Sequence, residues 1–181
     1  MAPILGIYAS QISGHLVTNS YASIQTVTVG SGGASSITFS SIPSTYTHLQ
    51  LRVTNLTSGT FSADIKMQFN SDTGNNYSRH LISANGSSIA AVANTSNAFI
   101  DGVYNGDATY PYISIIDIFD YSNSNKYKTT KTLNGGDRNG SGYVNFNSGL
   151  WMNTSVISSI IFTPNSGNIN QYSSFALYGV K

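Results

Sequence analysis

The sequence predicts an all-β fold, an antiparallel β-sandwich preceded by an extended N-terminal arm, and three observations predict it. Apolar residues recur with period two: Leu49, Leu51 and Val53 alternate with His48, Gln50, Arg52 and Thr54, and Phe61, Ala63, Ile65, Met67 and Phe69 alternate with Ser62, Asp64, Lys66, Gln68 and Asn70. A pleated strand turns that spacing into one oily and one hydrated face, whereas a helix gathers neither set on one side. Charged residues make up only 8% of the chain, and every acidic one is Asp, against roughly 25% charged in ordinary globular chains. Helical surfaces are built largely from Glu, Lys, Gln and Ala, while Thr, Tyr, Phe, Val and Ile favour strands. Finally, turn formers interrupt the chain at short intervals, the punctuation of a sandwich or barrel.

In chain order, Met1 to Ser20 has no clean period, and its apolar residues are broken by Gly6, Ser10, Ser13 and Gly14. It reads as a docking arm whose patch, Ile4, Leu5, Ile7 and Tyr8, needs cover from the chain's own body or from a neighbour. No basic residues precede the patch and it is shorter than a secretory core, so no amino-terminal address is expected. No stretch approaches the roughly 20 apolar residues of a membrane span. Residues 21–181 read as one domain, a length that removes roughly 70% of the unfolded surface from water. Strands are expected at Ile24 to Val29, Ser36 to Phe39, Tyr77 to Ser83, Ala98 to Val103, Tyr112 to Phe119, Lys126 to Leu133, Tyr143 to Met152, Val156 to Thr163 and Ser174 to Val180. Thr47 to Asn70 supplies two more, joined by the loop Leu56 to Thr60 and wanting a second apolar layer to lie on. Asn-Gly pairs at Asn85, Asn105, Asn134 and Asn139 tolerate positive φ and predict turns. Tyr112 to Phe119 and Val156 to Thr163 are apolar on both faces, which suits central strands or strands covered by a partner subunit.

Few residues offer chemistry. Cysteine is absent, so no disulfide, thiolate metal site or cysteine nucleophile is expected. Net charge is +1 and the only local basic cluster is Lys126, Lys128 and Lys131, so the footprint of a nucleic-acid binder is missing. Gly30, Ser31, Gly32 and Gly33 lead into a strand rather than a helix, which favours a hairpin loop over a phosphate cradle. Neither a Gly-x-Ser-x-Gly elbow nor a His with an obvious orienter appears; the histidines are His15, His48 and His80. A glycosidase needs paired carboxylates with one held in an apolar site. Asp117, between Ile116 and Ile118, is the one acid so placed, with Asp120 or Asp101 as partner, although a strand-edge Asp bonded to backbone or to Arg52, Arg79 or Arg138 is the plainer account. The turns at Asp72 and Asp137 carry oxygen ligands as calcium loops do but lack an EF-hand's carboxylate count. Recognition falls to Tyr104, Tyr110 and Tyr121, whose rings lie near Asn105, Asp107 and Asn123 and suit stacking on sugars. No cofactor or metal is expected.

Several stretches resemble small structural proteins of tailed bacteriophages. They are the opening Met1-Ala-Pro-Ile-Leu-Gly-Ile-Tyr-Ala-Ser, Ser40-Ser-Ile-Pro-Ser-Thr-Tyr-Thr-His-Leu-Gln-Leu-Arg52, Asp117-Ile-Phe-Asp-Tyr121 followed by Lys126-Tyr-Lys-Thr129, and the closing Phe175-Ala-Leu-Tyr-Gly-Val-Lys181. The resemblance implies a jelly-roll sandwich on the virion surface, as head decoration or cement or as a tail-fibre or host-attachment module. It also implies a homo-oligomer, with a trimer favoured, among other virion proteins. On this reading the protein is non-enzymatic and docks through its arm. The alternative is a carbohydrate-binding module that recognises a host surface glycan through the loop tyrosines. A glycan hydrolase using Asp117 is a distant third.

Overall fold

A computed structural model describes residues 20–181, so the expected docking residues Ile4, Leu5, Ile7 and Tyr8 lie outside the described residues. The strands are β1 (Tyr21–Thr28), β2 (Ile37–Phe39), β3 (His48–Asn55), β4 (Asp64–Phe69), β5 (Tyr77–Ala84), β6 (Ile89–Asn97), β7 (Ile100–Tyr104), β8 (Tyr112–Phe119), β9 (Lys128–Asp137), β10 (Gly142–Trp151), β11 (Ile160–Pro164) and β12 (Ser174–Val180). They form a front sheet in the order β1-β12-β3-β8-β9-β10-β5-β6 and a back sheet in the order β2-β11-β4-β7. Every pairing is antiparallel.

The order of pairing makes this a jelly roll. β1 pairs with β12, β2 with β11, β3 with β8 and β4 with β7. That is a long hairpin wrapped so that successive pairs fall alternately in front and back sheets. The four remaining strands enter as two inserted hairpins. β5 and β6 lie between β4 and β7 in the chain, β9 and β10 lie between β8 and β11, and all four join the front sheet beyond β8.

The alternation in the sequence has the predicted consequence for faces. Leu49, Leu51 and Val53 of β3, Ile65, Met67 and Phe69 of β4, Ile116 and Ile118 of β8, Phe162 of β11, and Phe175 and Leu177 of β12 are buried together between the sheets. The partnership of the two opening strands differs from expectation. β3 and β4 belong to different sheets, so each serves as the other's apolar layer and the connector between them crosses the sandwich. The Gly30 to Gly33 run likewise joins front to back sheet rather than closing a hairpin, with Gly33 N donating to Gly30 O at 3.3 Å. Asn134 and Gly135 sit inside β9 rather than in a turn. Next to them Gly136 makes room for a ring, since a Cβ there would lie 2.6 Å from Tyr112 Cδ2. β6 arises where the sequence predicts no strand.

Candidate functional site

The residues singled out for sugar recognition do not form a common platform. Tyr104 and Tyr121 are buried. The Tyr104 hydroxyl accepts from Arg79 Nη1 at 3.0 Å, and its ring lies 5.8 Å from that of Tyr112. Tyr121 donates to the carbonyl of Pro43 and accepts from Tyr46 N at 3.4 Å, fastening the loop before β3. Tyr110 is half-buried before β8, whereas Tyr121 follows it. Eight residues of strand, about 26 Å at 3.3 Å per residue, separate the two ends. The carboxylate beside Tyr110 is also occupied. Asp107 Oδ1 accepts from Tyr110 N at 2.7 Å and Thr109 N at 2.8 Å, and Oδ2 meets Arg138 Nε at 3.0 Å. The two backbone N–H groups, aided by Arg138, hold its pKa below the usual carboxylate range.

The acids considered for hydrolysis are also dispersed. Asp117 lies on the outer face of β8, opposite Lys131 in register, and accepts from Gln50 Nε2 at 2.8 Å. Asp120 is past the strand end, bonded to Lys126 and 3.5 Å from His48 Nδ1. Lys126, chiefly through that bond, holds Asp120 below the ordinary range. His48 Nδ1 accepts from Asp120 N at 2.9 Å, so its neutral ring carries the proton on the other nitrogen. At the first turn singled out for calcium, Asp72 Oδ1 accepts from Gly74 N at 2.9 Å and Asn76 Nδ2 at 3.2 Å, and Oδ2 accepts from Trp151 Nε1 at 2.7 Å. Desolvation pushes this carboxyl up, but the bonds from Trp151, Asn76 and Gly74 bring it below its usual value. At the other turn, Asp137 Oδ1 accepts from Gly140 N at 3.3 Å. Among the described residues no group of three or more His, Cys, Asp or Glu could hold a metal ion.

The feature that sequence reasoning missed is an inverted sheet. In β9 and β10 the inward side chains are polar except for Trp151 at the end of β10: Thr130, Thr132, Asn134, Asn145 and Asn147 are all buried. Asn145 Nδ2 bridges Tyr112 OH and Asn134 Oδ1, each at 2.8 Å. Among the described residues no group bonds Thr130 Oγ1, Thr132 Oγ1 or either amide atom of Asn147, and such burial opposes folding. Towards one end of the strands the outward side chains are apolar and form two rows across five strands. One row runs Ile115, Leu133, Phe146, Ile82, Ala91, and the other Ile113, Gly135, Val144, Ala84, Ile89. Exposure is 41% at Ile115, 55% at Leu133, 48% at Phe146, 57% at Ile82 and 62% at Val144. A shallow groove of about 410 Å³ crosses β10, β5 and β6 beside Phe146.

No known protein family, curated protein or solved structure matches the chain. The surface must therefore be read from its own chemistry. The rows themselves are uncharged; the next row along places Asp117 against Lys131, then Ser148 and His80. Lys131 Nζ donates to Ser148 Oγ at 3.0 Å and lies 5.7 Å from the Phe146 ring centroid. An apolar, uncharged face with a polar border is a contact surface in its chemistry. The signal for it was present in the sequence, because Tyr112 to Phe119 is apolar on both faces and only one of them lines the core.

Proposed function

We propose that the protein is a non-enzymatic structural component of a tailed-bacteriophage particle. It is a jelly-roll module on the particle surface, serving as head decoration or cement or as part of a tail fibre, and fastened through its leading arm. The observation that carries this reading is the front sheet. Four strands are added to a complete jelly roll, and part of their outer side is apolar where a free-standing protein would be hydrated. A surface of that kind suits a protein that works by being covered by other proteins. The resemblance of the opening and closing segments to phage structural proteins supports the same reading.

The arm contributes by burial. Each large apolar side chain among Ile4, Leu5, Ile7 and Tyr8 is worth about 1.5–3 kcal/mol when removed from water, less the cost of ordering the backbone. Copies acting together turn a weak individual contact into firm attachment. Deleting residues 1–20 is expected to leave a folded β-rich body that no longer joins the particle. Normal incorporation of the truncated protein, measured by particle composition, would sink the proposal, and imaging of the intact particle shows which part carries it.

A further inference from the structure

We propose that the outer face of the front sheet, centred on Leu133 and Phe146, is covered by the same face of a second copy of this chain. The proposal goes beyond the particle reading and stands whether or not that reading does, because it rests on the pattern of the two inserted hairpins. A hairpin added to a sheet normally turns its apolar side inward. Here β9 and β10 turn Thr130, Thr132, Asn145 and Asn147 inward and Leu133, Val144 and Phe146 outward. The inward face packs apolar groups at Trp151, Tyr77 and Leu81, but along Thr130, Thr132 and Asn147 its buried polar atoms have no hydrogen-bond partner among the described residues. Only burial of the outward face makes the alternation consistent with the rule that apolar side chains leave water.

Size and shape select the occupant. The two rows expose seven large apolar side chains, each at 41% or more, which amounts to on the order of 600 Å². That is at the upper limit of what a monomer ordinarily displays and close to the ~800 Å² per partner of a standard interface. The rows are in register across five strands, so the matching surface is another sheet, laid face to face at about 10 Å. A second copy supplies one of equal area and equal lack of charge, and an isologous contact about a two-fold axis buries both at once. The arm fits less well. It enters the fold at β1, at the opposite end of the sheet from β6.

The test uses the full purified chain and two kinds of variant. Sedimentation in a concentration series is expected to give a dimer, and Leu133→Asp with Phe146→Asp is expected to give a monomer of unchanged β-rich circular dichroism. Should the double variant fail to fold, a substitution that keeps the face apolar still decides. The chain has no native Cys, so Leu133→Cys carries the only thiol. In the dimer its reaction with a maleimide should be slowed on the order of ten-fold or more relative to Ser124→Cys in an exposed loop, because modification requires the interface to open. A monomeric wild type, an odd copy number, or an oligomer in which the Leu133→Cys thiol reacts as fast as the loop thiol overturns the proposal. A monomer with a protected thiol also overturns it and transfers the face to the leading arm.

Discussion

Tyr77 and Tyr112 show how far the interior controls individual groups. Burial pushes both phenols up from 10 to about 12. Tyr77 donates to Asp72 O at 3.0 Å, and Tyr112 OH accepts from Asn145 at 2.8 Å. A raised pKa means that the fold favours the neutral phenol. The stability each contributes is therefore complete below pH 10, where the unfolded residue is still protonated, and is lost as the pH rises from there through about 12. Two pKa units correspond to at most about 3 kcal/mol per phenol. Alkaline titration followed by tyrosinate absorbance is expected to show an early class of exposed tyrosines and a late class that ionises together with loss of the β-sheet signal. A single early transition with the fold intact would contradict this. Residue type alone does not separate these roles: Tyr104, Tyr110 and Tyr121 looked alike beside their polar neighbours, yet two are buried and bond Arg79 and Pro43. What distinguishes them is contact between residues far apart in the chain, such as Tyr121 with Pro43, which no local pattern contains.

Connections between elements are fixed by a few buried polar groups. Asn55 at the end of β3 donates to Tyr104 O at 2.9 Å and accepts from Gly106 N at 2.9 Å, and Thr57 Oγ1 donates to Gly106 O at 2.7 Å. The connector between the sheets is thereby tied to the loop between β7 and β8. Gly106 is enclosed by main chain: a Cβ there would lie 2.4 Å from Asn55 O, 2.7 Å from Tyr110 O and 2.9 Å from Tyr112 N. None of these atoms can swing aside as a side chain does. Gly106→Ala is therefore expected to destabilise the fold by about 2 kcal/mol or more, read as a lowered denaturant midpoint; an unchanged midpoint would show that the two loops are not rigidly joined.

The elements also show where periodicity informs and where it stops. Tyr112–Phe119 and Ser174–Val180 were legible to the residue, because alternating or continuous apolar runs are bounded there by turn formers. β6 was not legible, since its Ala-rich run has no alternation and lies open to water on both sides. Nor was the separation of β3 from β4, because period two says which side of a strand is oily and not which sheet it joins. The contact face was half legible: the doubly apolar β8 pointed to it, but the register that aligns Ile115 with Leu133, Phe146 and Ile82 is a property of pairing.

At the scale of the whole molecule, the nested pairing makes most contacts remote in sequence. Tyr21 of β1 sits opposite Val180 of β12, and the core between the sheets draws on β2, β3, β4, β8, β11 and β12. Such topologies form slowly because loops must close before contacts reward them. β12 lies between β1 and β3 and contributes Phe175 and Leu177 to the core. Removing residues 174–181 is expected to abolish native structure, seen as loss of the cooperative thermal transition. A truncated chain that still melts cooperatively would show that the wrapped hairpin does not need its closing strand.

The position of β1 at the rim, held by β12 alone, has a consequence for biosynthesis. During synthesis β1 therefore stays unpaired until residues 174–180 have emerged and joined β3, so the first described strand waits for the last. A chain interrupted before that point leaves β1 without the strand that holds it.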